Sequence, residues 1–322
     1  MKLKSLLIST TTAALISAGL PAWAQDSSKN WSDIDILVLH WSQSSNPFFE
    51  VVNAGVQDAA EDQGINVDIQ FGEEDPVVTS NILETAIANG VDAIALGLAD
   101  DEAYDETLCD AASKGIVVVT MNIDDSKGAD GTCRLAFMGQ NFVDAGYALG
   151  KRMIEEHGLS EGDLVFTPVE APEGTYAVLR HQGVQKALDE VGATSELLGV
   201  TNDHGTALNL MTQYLLGHPD TKAVIGLGQT PTSQAVQATR DTGLDIPVAG
   251  FDISDSILQN IADGDMTAAV DQQPYSQGYY AVTQAALAVK YGLYPSEMNT
   301  GGAGLVDQSN YEAAVEWSGK TR

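Results

Sequence analysis

Several residue types and patterns are scarce in this chain, and each shortage bears on a class of function. Basic residues are few, with 15 Lys and Arg against 45 Asp and Glu in 322 residues, a formal charge of −30. Nucleic-acid affinity comes largely from neutralising phosphates with Lys and Arg, so the balance argues against a nucleic-acid partner. Cysteine is limited to Cys109 and Cys133, whose spacing fits neither a zinc set nor a C-x-x-C redox pair. No apolar run reaches the roughly 20 residues that a membrane-spanning helix needs. Catalytic signatures are missing too: the chain contains no G-x-x-x-x-G-K-[ST], H-E-x-x-H or G-x-S-x-G. Gly226-Leu227-Gly228 begins like a dinucleotide loop, but Pro231 stands where the third glycine belongs. The five histidines, His40, His157, His181, His204 and His218, fall on different elements without metal-like spacing, so neither a metal nor a cofactor is expected.

The N-terminus carries an export layout. A basic tip, Met1-Lys2-Leu3-Lys4, precedes an apolar run from Ser5 to Leu20 and the small residues Ala22 and Ala24, the pattern of a secretory signal cleaved after Ala24. No Cys follows the cleavage site, so a lipid tether is not expected. Cleavage leaves 13 basic against 45 acidic residues, a net charge of −32, which bears on solubility rather than fold. An exported chain meets an oxidising compartment, where Cys109 and Cys133 read as a disulfide, with two small buried hydrophobes as the alternative.

From residue 34 onward, short apolar runs alternate with amphipathic stretches punctuated by Gly or Pro. Ile34 to Leu39 reads as a strand, followed by a helix from Pro47 closed by Gly64. Ile65 to Phe71 precedes a helix opened by Asp75-Pro76 and closed near Gly90. Val91 to Leu96 leads to a helix capped by Asp100 or Asp101, and Ile116 to Met121 reads as a buried strand. After a strand over Arg134 to Met138 the rhythm restarts. Strands at 164–166, 196–200, 223–227, 248–251 and 266–270 are separated by helices near 142–157, 174–191, 205–217, 231–242 and 254–263. A helix from Tyr275 to Tyr291 and a Gly-rich tail at Gly301, Gly302 and Gly304 follow. This alternation predicts two similar α/β halves with parallel sheets covered on both faces. No heptad seam or long exposed apolar run advertises a self-interface, so a monomer is expected.

Open α/β sheets bind ligands past the carboxyl ends of their strands. Ser42 and Asn46 follow the first strand, Asn122 the fourth, Asp252 the strand ending at Phe251, and Gln272 the strand ending at Val270. Hydroxyls, amides and one carboxylate suit a hydroxylated ligand. Phe48 and Phe49, beside Trp41, offer flat faces for a sugar ring, and Arg180 offers a planar fork for two adjacent oxygens. Plainer roles stand beside these: Asn46 before Pro47 and Asp252 before Ser254 fit helix caps, and both phenylalanines fit a core.

The run Ser44-Ser45-Asn46-Pro47-Phe48-Phe49 resembles the opening motif of ribose-type periplasmic sugar-binding proteins, the receptors of bacterial ABC importers. Four further segments match in order: 115–122, 180–184, 248–252 and 269–274. The resemblance implies two Rossmann-like lobes, 32–138 with 273–305 and 139–272 with 306–322, joined by three crossing segments of a type I binding protein. It also implies a non-enzymatic periplasmic receptor for a small neutral sugar, polyol or related solute, delivered to an inner-membrane ABC permease. Sugar-contacting roles carry over to Ser42, Asn46, Phe48, Phe49, Asn122, Arg180, Asp252 and Gln272. Trp41, Asn202 and Gln229 stand at weaker matches, since relatives have a stacking Phe near Asn202 and Asn-Asp near Gly228-Gln229. Asn122-Ile123 also lacks the Arg that ribose receptors carry, which argues against ribose itself. A furanose-type signalling ligand, a chemotaxis role, or an exported sugar-acting enzyme using Asp252 as acid are the alternatives. Mass spectrometry of the exported protein is expected to begin at Gln25, and a mature product that keeps residues 5–20 would overturn the export assignment.

Overall fold

The structure, a computed structural model, describes residues 28–98, 103–302 and 304–322. The expected leader and its cleavage site lie outside the described residues, as do Asp100 and Asp101. Alternating apolar runs and helices give β1 (Asp35–His40), α1 (Pro47–Gln63), β2 (Asn66–Phe71), α2 (Pro76–Asn89) and β3 (Ala93–Leu96). Then come α3 (Asp105–Ser113), β4 (Val117–Met121), a single turn α4 (Ala129–Thr132) and β5 (Phe137–Gly139). Gly64 and Gly90 close α1 and α2 at φ of 68° and 75°, a left-handed conformation that costs glycine little. The third helix begins later than expected, at Asp105, with Tyr104 in the N-cap position. The strand expected over Arg134 to Met138 is regular only at Phe137–Gly139, although Leu135 N and the Ala136 carbonyl still bond to β4, and the Arg134 side chain pairs with Asp124 and Glu297.

The second half repeats the plan as α5 (Phe142–His157), β6 (Leu164–Val169), α6 (Thr175–Asp189), β7 (Thr194–Gly199), α7 (His204–Gly217) and β8 (Thr221–Gly226). It continues with α8 (Gln229–Thr242), β9 (Val248–Phe251), α9 (Asp255–Asp263) and β10 (Ala268–Val270). The chain then returns through α10 (Pro274–Tyr291) and β11 (Met298–Asn299) to β12 (Leu305–Val306) and α11 (Tyr311–Trp317). Two six-stranded sheets result, ordered β2-β1-β3-β4-β5-β11 and β7-β6-β8-β9-β10-β12, parallel throughout except for antiparallel β12.

Successive strand residues point to opposite faces, and both faces of each sheet are buried. Ile36 and Val38 join α1 and α10 on one side of the first sheet, while Leu37 and Leu39 join α2 and α3 on the other. In the second sheet, Val165 and Ile225 face α5 and α6, and Phe166 and Val224 face α7 and α8. Two helix pairs pack backbone to backbone. A Cβ on Gly55 would lie 2.1 Å from the Tyr275 carbonyl oxygen between α1 and α10. One on Gly146 would lie 2.3 Å from the Arg180 carbonyl oxygen between α5 and α6.

The chain passes between the sheets three times, at residues 140–141 and 271–273 and between Asn299 and Leu305. The expected Gly-rich tail is the third of these crossings, and Leu305 beyond it pairs with Val270 in the second sheet. Gln140 is 1% exposed, and its Nε2 donates to the Asp271 carbonyl at 3.4 Å and the Gly302 carbonyl at 3.2 Å. One side chain thus touches all three crossings. A disulfide joins Cys109 in α3 to Cys133 after α4 with a Cα–Cα distance of 5.0 Å, so the alternative of two free buried thiols does not hold. Among the described residues no helix is long and apolar enough to cross a membrane.

His40 is wholly buried at the end of β1. Its Nε2 lies 2.6 Å from Asn53 Oδ1, and the Phe49 and Phe71 rings stand 4.5 and 5.0 Å away. Burial lowers its pKa from 6.5 to about 4, against the raising effect of Asn53. The unfolded chain takes up this proton near 6.5 and the folded chain only near 4. The stability from neutral His40 is therefore complete above about pH 6.5 and is lost as pH falls through 4, a span of about 3 kcal/mol. Denaturant titrations from pH 7.5 to 4 should show this loss in the wild-type chain relative to His40→Phe, which keeps the ring packing and has no proton to accept. Parallel profiles would contradict it.

Candidate functional site

The carboxyl ends of both sheets border one cavity of about 210 Å³. Phe48 and Val51 of α1 form one wall. Gln229 at the start of α8, Asp252 after β9, and Asp271 and Gln272 in the second crossing form the other.

Arg180 comes from α6, whose backbone is set by its close approach to α5 at Gly146 and Gly183. Its side chain is 3% exposed, and its guanidinium carbon lies 4.4 Å from the Phe251 ring centre, 4.9 Å from Phe142 and 5.1 Å from Tyr176. Such rings hold a planar cation without screening it by water. Nη1 donates to the Leu227 carbonyl at 2.7 Å and to Asp252 Oδ2 at 3.4 Å. The other carboxylate oxygen of Asp252 accepts from Gln272 Nε2. Asp252 adopts a φ of 72°, which Asp and Asn tolerate better than most residues. It does not cap α9. That role belongs to Ser254, which accepts from Ile257 N at 3.3 Å. Arg180 Nε and Gln272 Oε1 are buried without a hydrogen-bond partner among the described residues, and Arg180 itself stands behind Asp252 rather than lining the cavity.

A second network lines up behind the first. Trp41 Nε1 donates to Asn122 Oδ1 at 3.0 Å, Asn122 Nδ2 donates to Gln277 Oε1 at 3.2 Å, and Gln277 Nε2 donates to the Gln272 carbonyl at 3.2 Å. Both polar atoms of the Asn122 amide are engaged, and Asn122 joins Trp41 to the second crossing. Asn46 does act as the cap of α1, accepting from Phe48 N at 3.1 Å, and its Nδ2 donates to Ser42 Oγ at 3.0 Å.

The remaining expected residues separate. Phe48 is half-buried and lines the cavity, whereas Phe49 is 1% exposed and packs among His40, Phe71, Trp41 and Phe48. The first turn of a helix sends neighbouring side chains in different directions, so Phe49 serves the core rather than a ring wall. Gln229 lines the cavity and donates to the Ile253 carbonyl at 3.0 Å. Asn202 is exposed between β7 and α7 and does not line the cavity.

Three residues went unread in the sequence. Gln277 is a wholly buried amide on the apolar face of α10, and a lone Gln among Ala and Val was its one signal. Glu170 directly follows β6, a strand-end position like the others. It accepts from Thr230 N at 2.9 Å and from the Tyr176 hydroxyl at 3.3 Å, and burial pushes its carboxyl up. Asp271 is 4% exposed. Burial pushes its carboxyl up too, against the Gln273 N–H and the Arg322 guanidinium. Among the described residues no cluster of His, Cys, Asp or Glu could hold a metal ion. The site is chemically a set of fixed donors and acceptors around a compact volume with one ring face.

Known proteins share this plan. A ribose import binding protein of Bacillus subtilis is 26% identical over 278 residues, covering 84% of this chain and 87% of that protein. A D-apiose import binding protein of Paraburkholderia graminis is 28% identical over 263 residues, covering 80% of this chain and 82% of its own length. A carbohydrate transporter from Acidothermus cellulolyticus, solved in complex with myo-inositol, superposes with a TM-score of 0.78 at 25% identity, over 89% of this chain and 98% of that one. The family model described as a periplasmic binding protein domain matches residues 37–292, more than half of the chain, and the chain belongs to that family.

Proposed function

We propose that the protein is a receptor that captures a small neutral sugar or polyol between its two lobes and delivers it, chemically unchanged, to an ABC permease. The observation that carries this reading is the buried Arg180–Asp252–Gln272 network, which reaches the cavity through Asp252 and Gln272 with Arg180 bonded behind them. Asp252 and Gln272 bond adjacent ligand hydroxyls, Phe48 faces the C–H side of the ring, and Gln229 borders the same space. Trp41, Ser42, Asn46 and Asn122 do not line the cavity and act from behind it: Asn46, bonded to Ser42, caps the helix that carries Phe48, and Trp41 and Asn122 are tied through Gln277 to Gln272. The lobes follow the two sheets, with their boundaries inside the three crossings, and ligand closes them by a hinge. The relatives are import binding proteins for ribose and D-apiose, which supports a transport role and a ligand of this class. Export through the cleaved leader would place a monomeric receptor in the periplasm.

A thermal-shift panel of myo-inositol, D-ribose, D-arabinose and D-allose should find a stabilising solute that is recovered with its mass unchanged and that compacts the protein in small-angle scattering. No shift across the panel and related polyols, or a converted product, would defeat the reading.

Charge-assisted hydrogen bonds contribute about 1.5–3 kcal/mol each, so Asp252→Asn should weaken binding about 10- to 150-fold in titration calorimetry. Because Ser254 and not Asp252 caps α9, the variant should stay folded by circular dichroism. Arg180→Ala should lose affinity in the same range but also lose stability, since Arg180 is buried among three rings. Unchanged affinity in the folded Asp252→Asn protein would move the site elsewhere.

A further inference from the structure

The segment after α11 turns back to the cavity. Ser318, Gly319 and Arg322 line it beside Phe48 and Asp255. The turn holds itself together, with Gly319 N donating to the Arg322 carbonyl at 2.9 Å and Arg322 N to the Trp317 carbonyl at 3.3 Å. Ser318 Oγ donates to Asp255 Oδ1 at 2.9 Å, at the start of α9, and α11 itself packs on α9. The turn therefore rides on the second lobe.

Its last side chain reaches the second crossing. Arg322 Nη1 lies 3.2 Å from Asp271 Oδ2, in a pair whose side chains are 30% and 6% exposed. Asp271 Oδ1 accepts from Gln273 N at 2.9 Å, and the Asp271 carbonyl accepts from Gln140 Nε2. The neighbouring residue, Gln272, carries the bond to Asp252. One carboxylate in the hinge is thus gripped by its own turn and by a cation from the cavity wall. Domain rotation changes backbone dihedrals at the crossings, so a cation fixed to a crossing resists that rotation and keeps the wall in place.

We propose that residues 318–322 form a wall of the solute cavity and that Arg322, through Asp271, is the positioning residue that slows the escape of bound solute. The release part of this inference rests on the receptor reading above; the hinge part does not.

Two variants of the full chain test it, Arg322→Gln and Arg322→Lys. In the unliganded protein, hydrogen exchange at the Gln273 and Gly319 amides should speed up about 5-fold in Arg322→Gln and less than about 2-fold in Arg322→Lys, the scale of losing one partly exposed ion pair. Stopped-flow release of whichever panel solute binds, myo-inositol, D-ribose, D-arabinose or D-allose, should accelerate by about the same factor with association little changed. Unchanged exchange at Gln273 would overturn the hinge contact, and faster exchange with an unchanged release rate would overturn the wall. If no solute of the panel or related polyol binds, the receptor reading is what fails, and exchange at Gln273 alone decides the contact.

Discussion

A chain that passes three times between two sheets has to bring three irregular backbone segments together in the interior, where each polar group needs a partner. Gln140 meets that need for two backbone carbonyls, one in each of the other crossings, through its single Nε2. The third crossing lies directly on the second: a Cβ on Gly301 would sit 2.1 Å from the Asp271 carbonyl oxygen, and its φ of 68° suits glycine alone without strain. Once these segments are fixed, the carboxyl edges of the two sheets have to face one another, and the residues just past the strands have to share a cavity.

Those residues are held in costly backbone conformations. Asn122, Asp252 and Gln273 all have positive φ, at 66°, 72° and 54°, each where the chain leaves a sheet. Such conformations cost of the order of 1 kcal/mol and persist where the surroundings over-determine them. Here the surroundings are two side-chain networks that meet at Gln272, one through its side chain to Asp252 and one through its carbonyl from Gln277. The two lobes are joined through this residue twice, by the backbone and by hydrogen bonds.

Local pattern carried most of the architecture. Uninterrupted apolar runs such as Val117–Met121 admit little but a buried strand, and Gly64 and Gly90 mark helix ends by their own chemistry. What local pattern could not carry were contacts between distant residues. Asn122 reads as a ligand contact from its strand-end position, and nothing local signals the bond that its amide also makes to Gln277, 155 residues later. Asp252 and Ser254 are both plausible caps, and only the geometry of α9 chooses Ser254. The two-residue strands β11 and β12 have no periodicity to read, so the crossing between them passes for a tail. Phe48 and Phe49 are chemically alike, and the helix start alone sends one to the cavity and the other to the core.

The close approach of α5 and α6 bears on how such a receptor can diverge. A side chain at Gly146 would strike the Arg180 carbonyl oxygen, and one at Gly183 would fall 2.2 Å from the Val143 carbonyl oxygen. Neither glycine lines the cavity, yet both fix the backbone that holds Arg180 against the cavity residue Asp252. Preference for one solute over another can drift through Phe48 or Gln229, which sit at helix starts on the rim. The helix spacing behind Arg180 has no such freedom, so ancestry should be written in the two glycines and diet in the rim.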